Sequence, residues 1–458
     1  MSGKHLLAIV FAVLIPALII ALTFGLGDIH PSVMLAITAF ALSLCLMQGL
    51  VKIFNYRHLT IPGFFYFVYT AVIFLPSIFV FLDKQGPYRY PYLFGSTSVL
   101  LTVPAGIMLA SLVFKFKNAE VREFYEQELV DKTPSRELFY VLVILTVAAV
   151  ALIYVYLTHV KTVALVYAIR HPGRSGEITQ LREESFKLIN PYLRYPCAWL
   201  RQLIFPFLIM VSLGYYLTTR RKKFLLLFLF VLFVGTLFAS FSMARSPVVF
   251  IFMSLFLFLY IYRRGKIKFA WVLTAPVFIL IFPVFVMLTK YKIGVSQAVK
   301  GLLHRAFYST AEIPYYYFEY FPAKVDFLYG RSIGKLSMLL GWQHFDVANF
   351  ISLQTGPGHF KTGSANASFF AVFHVDFGLT GVLLGGILTG FILQMLQVIV
   401  MRRKKTILTL GLYAHIVFAS YYLMGTSLPA VLLTYGMIMV FLLVWFIKLM
   451  ERALREAI

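Results

Sequence analysis

The sequence predicts an all-α, polytopic integral membrane protein with about 12 transmembrane helices. The 458-residue chain is 60% hydrophobic and only 13% charged, whereas soluble chains carry about 25% charged residues. Apolar runs of about 20 residues, the length that crosses a bilayer, recur along the sequence. The short connections between these runs alternate between strongly basic and nearly uncharged, which is typical of membrane topology.

The predicted spans follow one another along the whole chain. They lie near residues 6–26, 32–51, 61–82, 95–114, 138–158, 201–219, 224–243, 247–262, 269–289, 378–400, 406–424 and 428–449. Residues 1–26 could pass for a signal peptide, but the run is long and lacks a small-residue cleavage site, so we expect a retained helix. The run around 366–400 exceeds one span, so Asn366 to Phe377 could form a re-entrant or interfacial piece. Four glycines in it have helix-packing spacing: Gly381, Gly385, Gly386 and Gly390.

Lysine and arginine collect in every second short connection. The basic connections contain Lys52 with Arg57, Arg220 to Lys223, Arg263 to Lys268, and Arg402 to Lys405. Because cytoplasmic loops carry the excess of positive charge, we expect these connections and both termini to be cytoplasmic. The net charge of +23 then reflects topology, and nucleic acid is not an expected partner.

We expect one integral membrane domain over residues 1–458 rather than several soluble domains. Two long segments, 159–200 and 290–366, fall on the outer side of this topology, and connections of such length are usually functional or disordered. The cytoplasmic segment 115–137 places apolar residues at helical spacing and predicts an amphipathic helix on the membrane surface.

Both outer loops contain more basic than acidic residues. The candidate anion ligands are Arg170, Arg174 and Arg194 in the first loop and Arg305 and Arg331 in the second. The excess suits an anionic ligand, but long outer loops need not obey the charge rule, so no ligand is required. The second loop is also rich in aromatic residues: Phe307, Tyr308, Tyr315, Tyr316, Tyr317, Phe318, Tyr320, Tyr329 and Trp342. They predict either a sugar or headgroup surface or anchoring at the membrane interface.

Arg245 stands between two apolar helices in a connection of almost no length. Pro247 suits the first turn of the second helix, so Arg245 lies near the positive end of that helix. An arginine at this depth is costly and usually functional, and a helix N-terminus is a favourable place for phosphate. Arg245 is therefore a candidate phosphate ligand, and a snorkelling interfacial arginine is the alternative.

Polar residues interrupt the apolar segment that begins at Asn366. His374 and Asp376 could act as a general base there, because ionisable groups in membrane sequence are usually functional. The alternative is a buried pair that closes the start of a helix. Glu312, followed by His304, is the reserve candidate base on the second outer loop. No metal-binding motif occurs in the sequence, so we expect neither a metal nor a cofactor.

Three features together resemble the bacterial oligosaccharide repeat-unit polymerases, the Wzy-type or O-antigen polymerase family. Arg245, in the stretch Ala244-Arg245-Ser246-Pro247 that follows an apolar helix, looks like the outer-face arginine of that family. The stretch from Asn366 to Gly381, with Asp376-Phe377-Gly378, looks like the family's segment after its large loop. The two large outer loops, separated by four closely spaced spans, match the family's topology.

The resemblance implies a membrane-embedded glycosyltransferase fold of the C type, with periplasmic outer loops, in the bacterial inner membrane. It implies an enzyme that joins undecaprenyl-pyrophosphate-linked repeat units into a surface polysaccharide and uses no nucleotide sugar. The implied partners are the lipid-linked glycan, membrane lipid and a co-polymerase that regulates chain length. Cationic side chains would stabilise the leaving pyrophosphate, with Arg245 and the loop arginines as candidates.

Two other functions remain open at this point. An O-antigen ligase uses the same lipid-linked donor with a different acceptor, and the sequence does not separate the two. A lipid or polysaccharide transporter (flippase) belongs to a different class. Transporters usually show matched repeats and polar groups at the bilayer midplane, whereas the informative charges here lie at one face.

The alternation of basic and basic-poor connections predicts which positions face each side of the membrane. Single cysteines near residues 180 and 330 should react with an impermeant thiol reagent in intact cells. Cysteines at 130, 222 and 404 should react only after the membrane is opened. Labelling at position 222 in intact cells would contradict the predicted topology.

Overall fold

The computed structural model describes residues 30–49, 58–187, 191–265, 281, 283–289, 291, 293–355 and 365–457. Within these ranges every regular element is helical and no strand occurs, which confirms the all-α prediction. The predicted span at 6–26 lies outside the described residues, and so does most of the span predicted at 269–289.

The helices of the first half are mostly long and apolar. They are α1 Pro31–Gly49, α2 Ile61–Asp83, α3 Arg89–Val113, α4 Asn118–Glu126, α5 Arg136–His159, α6 Ala164–Arg170, α7 Ser175–Lys187, α8 Pro191–Trp199, α9 Phe205–Thr219 and α10 Lys222–Ser240. A π-helical turn, Thr70–Phe74, lies inside α2, and a second, Leu200–Ile204, joins α8 to α9. The segment 159–200, predicted as a long loop, is therefore largely helical.

The second half combines short helices with three further long ones. They are α11 Arg245–Tyr262, α12 Val295–His304, α13 Thr310–Tyr320, α14 Gly334–Leu339, α15 Val347–Gln354, α16 Phe369–Met401, α17 Ile407–Ala419, α18 Leu428–Leu433 and α19 Met439–Ala457. A third π-helical turn, Arg305–Ser309, joins α12 to α13, and a 3-10 turn, Ser420–Met424, follows α17. The described part of 290–366 thus consists mainly of short helices.

Seven helices in the described residues are long and apolar enough to cross a membrane. They are Ile61–Asp83, Arg89–Val113, Arg136–His159, Leu193–Thr219, Lys222–Ser240, Phe369–Met401 and Ile407–Met424. Two shorter apolar helices, Pro31–Met47 and Ser246–Tyr262, coincide with further predicted spans. The span predicted at 428–449 is divided into α18 and α19 by a turn that contains Gly436 at φ 82°. The chain has the make-up of a helical membrane protein, and the total of about 12 spans stays a prediction.

The chain divides into two compact units. The first unit comprises residues 1–121, 303–401 and 421–428, and the second comprises 122–302, 402–420 and 429–458. Each unit combines distant parts of the sequence: the segment 159–200 belongs to the second unit, whereas 290–366 is divided, with residues up to 302 in the second unit and residues from 303 in the first.

Glycines allow α3 and α16 to pack closely in the first unit. A Cβ on Gly390 would lie 2.1 Å from the carbonyl oxygen of Val103, and one on Gly106 would lie 2.0 Å from that of Ile387. Small residues let membrane helices approach until their backbones touch, where dispersion and weak backbone contacts replace the hydrophobic effect. The predicted packing face of α16 therefore contacts α3 through Gly390, and Gly386 also contacts α3, at Thr102.

The second unit is built around α9, which packs against α10, α11 and α17. The side chains of Phe258 and Ile407 pack against Gly214, and the side chain of Val211 packs against Gly411. The predicted cytoplasmic amphipathic helix is present as α4, and Phe124 and Tyr125 on it are buried. Phe124 packs edge-on against Tyr413 at 5.9 Å, so this apolar face contacts the protein itself.

Lys405 fastens the end of α4 to the start of α17. The side chain is 2% exposed, and its Nζ donates to the carbonyl oxygens of Tyr125 at 2.7 Å and Gln127 at 2.9 Å. Burial, and then the positive charge of Arg264, lower the pKa of Lys405 from 10.5 to about 8. A neutral amine still has the N–H donors that these two carbonyls need.

The lowered pKa of Lys405 predicts a pH dependence of stability. Between pH 8 and pH 10.5 the unfolded chain keeps a proton on Lys405 that the folded protein has lost. The unfolded state then binds more protons, so the free energy of unfolding should rise with pH, by at most about 1.4 kcal/mol per pH unit. Thermal unfolding of the purified protein across this range should show the rise. Lys405→Met should lack it, whereas Lys404→Met, at an exposed neighbour, should keep it. Parallel curves for the wild type and Lys405→Met would contradict this assignment.

Candidate functional site

Helix α16 breaks after its second turn, at Phe377 and Gly378. Gly378 has φ 65° and ψ −156°, a conformation that residues with a Cβ rarely adopt. The break separates the piece before it from the long span after it, as the length of the apolar run suggested. It also leaves carbonyls near the break for other donors: the N–H of Leu328 donates to Val375 and that of Tyr329 to Asp376, both at 3.0 Å.

Asp376 lies just before this break and is fully buried. Its Oδ1 accepts the backbone N–H of Gly330 at 3.0 Å and of Ser332 at 3.3 Å. Its Oδ2 accepts the hydroxyl of Ser332 at 2.5 Å. A carboxylate with three donors is well satisfied without any ligand. Asp376 therefore holds the loop at 328–332 against the broken helix.

His374 makes different contacts from those of Asp376. Its ring stacks on Phe318 with centroids 3.8 Å apart, and Phe327 meets it edge-on at 5.8 Å. Its Nε2 lies 3.1 Å from the carbonyl oxygen of Phe321. Because that oxygen can only accept, Nε2 carries the proton and Nδ1 presents a lone pair. The side chain is only 5% exposed, and Nδ1 has no hydrogen-bond partner in the described part of the structure.

Arg331 stands on the loop that Asp376 holds, between the two residues whose N–H groups Asp376 accepts. Its Nε donates to the carbonyl of Leu328 at 3.2 Å, and its side chain is exposed. Its own carbonyl accepts from Nδ1 of His344 at 3.0 Å and from the backbone N–H of Phe345 at 3.0 Å. The backbone of this exposed cation is thus fixed beside the helix that carries His374 and Asp376.

The aromatic residues of the second loop, apart from the partly buried Tyr308, divide into two groups. Those on α13 are buried and pack inside the first unit: Tyr315, Tyr316, Tyr317, Phe318 and Tyr320. Phe307 is 43%, Trp342 44% and Tyr329 64% exposed. The aromatic residues of α13 therefore belong to the core, and neither a sugar or headgroup surface nor an interface anchor includes them. Tyr329 remains available, and it lies two residues from Arg331 on the loop that Asp376 holds.

Glu312, the reserve candidate base, is paired. Nζ of Lys84 donates to its Oε1 at 2.7 Å, and the hydroxyl of Tyr316 donates to the same atom at 3.2 Å. Burial alone would lower the pKa of Lys84, but its hydrogen bonds to Glu312 and Tyr316 and the Glu312 charge raise it overall. This pair ties α13 to the end of α2. Removing either partner would leave a partly buried charge, which is costly.

The other predicted site residues are distributed over both units. Arg305 begins the π-helical turn before α13 and is exposed, and Asn366 is exposed next to Ala365, whose carbonyl accepts from Tyr317. These two belong to the first unit, with His374 and Asp376. The reserve residue His304 ends α12, also in the first unit, and is exposed.

The remaining predicted arginines belong to the second unit. Arg170 ends α6 and is exposed, Arg174 pairs with Glu177 at 3.2 Å, and Arg194 is exposed on α8. Arg245 is the first residue of α11, as the sequence predicts, and its side chain lies outside the described part of the structure. The residue before it, Ala244, provides no side-chain cap.

Two contributions were missed by the sequence interpretation. Ser332 supplies two of the three donors to Asp376, but a serine in a long loop carries no sequence signal. Arg201 lies in the π-helical turn between α8 and α9, and its guanidinium donates to the hydroxyl of Ser242 at 3.3 Å. The available signal was an arginine at the very start of an apolar run. In the described residues, no group of three or more His, Cys, Asp and Glu side chains could hold a metal ion.

The chain was compared with protein-family models, with curated proteins and with solved structures. No match was found in any of the three comparisons.

The contacts of Asp376 predict how its variants behave. Asp376→Ala leaves the N–H groups of Gly330 and Ser332 without their acceptor, at a cost of about 1–3 kcal/mol for each if it stays buried. Asp376→Asn keeps one carbonyl oxygen for both. Hydrogen exchange at these amides should therefore accelerate strongly in the Ala variant and little in the Asn variant. Asp326→Ala, which removes an exposed acid from the same connection between α13 and α14 but outside the loop at 328–332, is the control. Unchanged exchange in Asp376→Ala would show that the carboxylate does not hold the loop.

Proposed function

We propose that this protein is a glycosyltransferase that joins undecaprenyl-pyrophosphate-linked oligosaccharide repeat units into a surface polysaccharide. The reaction would take place at the periplasmic face of a bacterial inner membrane, with both termini in the cytoplasm. The proposal is supported by the helical membrane character of the chain and by its resemblance to the Wzy-type polymerases at Arg245 and at Asn366 to Gly381. A chain-length-regulating co-polymerase is the partner that this function implies.

The observation that carries the proposal is the state of His374. A buried imidazole with one nitrogen fixed by a carbonyl and the other without a partner has a defined tautomer and a lone pair in a defined direction. These are the properties of a general base that is held in place before its substrate arrives. Asp376 and Glu312 have a different character, since both oxygens of Asp376 and Oε1 of Glu312 already accept hydrogen bonds from the protein. We therefore assign the base to His374 and a positioning role to Asp376.

The chemistry requires the transfer of one proton and the departure of one pyrophosphate. The acceptor hydroxyl oxygen attacks the anomeric carbon of the growing glycan, and the bond from that carbon to the pyrophosphate oxygen breaks. The electron pair of the broken bond leaves with undecaprenyl pyrophosphate, and the hydroxyl proton moves to Nδ1 of His374. Charge grows on the departing oxygen, so a nearby cation lowers the barrier.

Arg331 is the exposed arginine of the first unit that lies on the loop held by Asp376, and we assign it to this purpose. Its backbone is held by contacts to His344 and Phe345, and the loop around it is tied to α16 by Asp376. A guanidinium can donate two parallel N–H hydrogen bonds to the oxygens of a phosphate. The roles of Arg245, Arg170, Arg174, Arg194 and Arg305 in binding pyrophosphate, and that of Asn366 in binding the substrate, stay predictions.

Replacing His374 by glutamine tests the assignment of the base. The glutamine amide can still donate to the carbonyl of Phe321, but it has no basic nitrogen. We expect polymerisation to fall by about 100- to 10,000-fold, the usual contribution of a general base, while protein level and thermal stability stay near those of the wild type. The measurement uses purified protein, lipid-linked repeat units and a gel that resolves chain length.

Control variants distinguish the loss of a general base from a loss of folded protein, and the products distinguish a polymerase from a ligase or a transporter. His159→Gln changes an exposed histidine and should polymerise normally, and Asp376→Asn should retain most activity because it retains the loop. A wild-type rate in His374→Gln would remove His374 from the mechanism. A ladder of chain lengths supports a polymerase, whereas transfer of one preformed chain to a different acceptor indicates a ligase. Movement of the lipid-linked unit without a new glycosidic bond indicates a transporter.

A further inference from the structure

A pocket in the second unit combines one cation with mostly aromatic walls. It is lined by Tyr156, Cys197, Arg201, Phe238, Phe241 and Ser242. The empty space at these residues is about 240 Å³ when the open surroundings are counted, and the enclosed part is much smaller. None of these residues has a role in the proposed glycosyl transfer.

The pocket lies where apolar helices end. Tyr156 is three residues before the end of α5 at His159, and Phe238 is two residues before the end of α10 at Ser240. Both helices are long and apolar enough to cross a membrane. The ends of such helices coincide with the interfacial layer, where the phosphate groups of lipids are found. A ligand in this pocket would therefore lie at headgroup depth.

The polar side of the pocket consists of Arg201 and Ser242. The guanidinium donates to the Ser242 hydroxyl at 3.3 Å, which aligns the two groups. An arginine and a neighbouring hydroxyl can both donate to the oxygens of a phosphate. The π-helical turn Leu200–Ile204 displaces Arg201 from regular helix geometry, and such turns are frequent at functional sites.

The apolar side favours a phosphate that is attached to a hydrocarbon chain. The rings of Phe238 and Phe241 pack edge-on at 5.8 Å, and Tyr156 meets Phe238 at 5.4 Å. A free phosphate ion would lose part of its hydration shell against such walls, and the aromatic rings cannot replace those hydrogen bonds. We propose that this pocket binds the phosphate group of a membrane amphiphile, with Arg201 and Ser242 as its ligands. The proposal does not depend on the glycosyl transfer suggested above.

Cys197 provides a reporter inside the pocket. The chain contains two cysteines, so Cys45→Ser leaves Cys197 as the only thiol. In purified Cys45→Ser protein, the rate of Cys197 labelling by a small thiol reagent is measured with four additions in turn. These are phosphatidylglycerol, geranylgeranyl phosphate, diacylglycerol and inorganic phosphate. At about ten times the dissociation constant, about one site in ten is empty, so a bound lipid should slow labelling about tenfold.

We expect both phosphate-bearing lipids to protect Cys197, and the one that acts at lower concentration identifies the source of the phosphate. Arg201→Gln and Ser242→Ala should each weaken the protection. Arg220→Gln, which removes an exposed arginine at the other end of α9, should leave it unchanged. Equal protection by diacylglycerol, equal protection by inorganic phosphate, or full protection in Arg201→Gln would overturn the proposal.

A second measurement covers the case in which Cys197 is too buried to react. Native mass spectrometry counts the phosphate-bearing lipids that remain on the protein after purification in mild detergent. The wild type and Arg220→Gln should retain lipid that Arg201→Gln has lost, with all three proteins equally monodisperse. Equal retention in all three would refute the site. Neither readout involves polymerisation, so failure here and failure of the proposed function are distinguishable.

Discussion

Where α16 breaks at Phe377 and Gly378, the helix can no longer pair every carbonyl near the break, and in a membrane protein such groups must find donors within the chain. The loop at 328–332 supplies them to Val375 and Asp376, and the Asp376 side chain in return accepts the N–H groups of that loop. One irregular residue, which only glycine fills easily, thus determines where a distant loop lies. The positions of Arg331 and Tyr329 follow from it.

This arrangement assigns different roles to residues that look alike in sequence. Asp376 and Glu312 are buried carboxylates that the protein itself satisfies, through Ser332 in one case and Lys84 in the other. His374 is buried too, but only one of its nitrogens is used. A polar group that the fold leaves unsatisfied costs stability, and a functional contact is a common reason for such a cost.

The order of the long helices could be predicted because the length of each apolar run can be counted in the sequence. The helix-packing glycines of α16 could be predicted from their spacing. The extra length of the run at 366–400 even indicated a separate first piece. The partners of the polar residues could not be predicted. Ser332 and Lys84 are far in sequence from Asp376 and Glu312, and nothing local marks a serine or a lysine as a specific donor. The burial of the α13 tyrosines was missed because interface anchors and core residues share one composition.

The π-helical turns Thr70–Phe74, Leu200–Ile204 and Arg305–Ser309 each accommodate one residue more than a regular helix would. A π turn spreads this extra residue over about the same rotation that an α turn completes with one residue fewer, so the α-helical segments on either side keep nearly the same relative orientation. Deleting the residue would restore a regular α-helix and remove the widened turn. At Leu200–Ile204 the deletion would leave the face that α9 presents to its neighbours in place and would change the backbone mainly around Arg201. The three turns are therefore positions where this fold absorbs a change of one residue in chain length, whereas the same change inside a regular α-helix would rotate one part of the helix against the other.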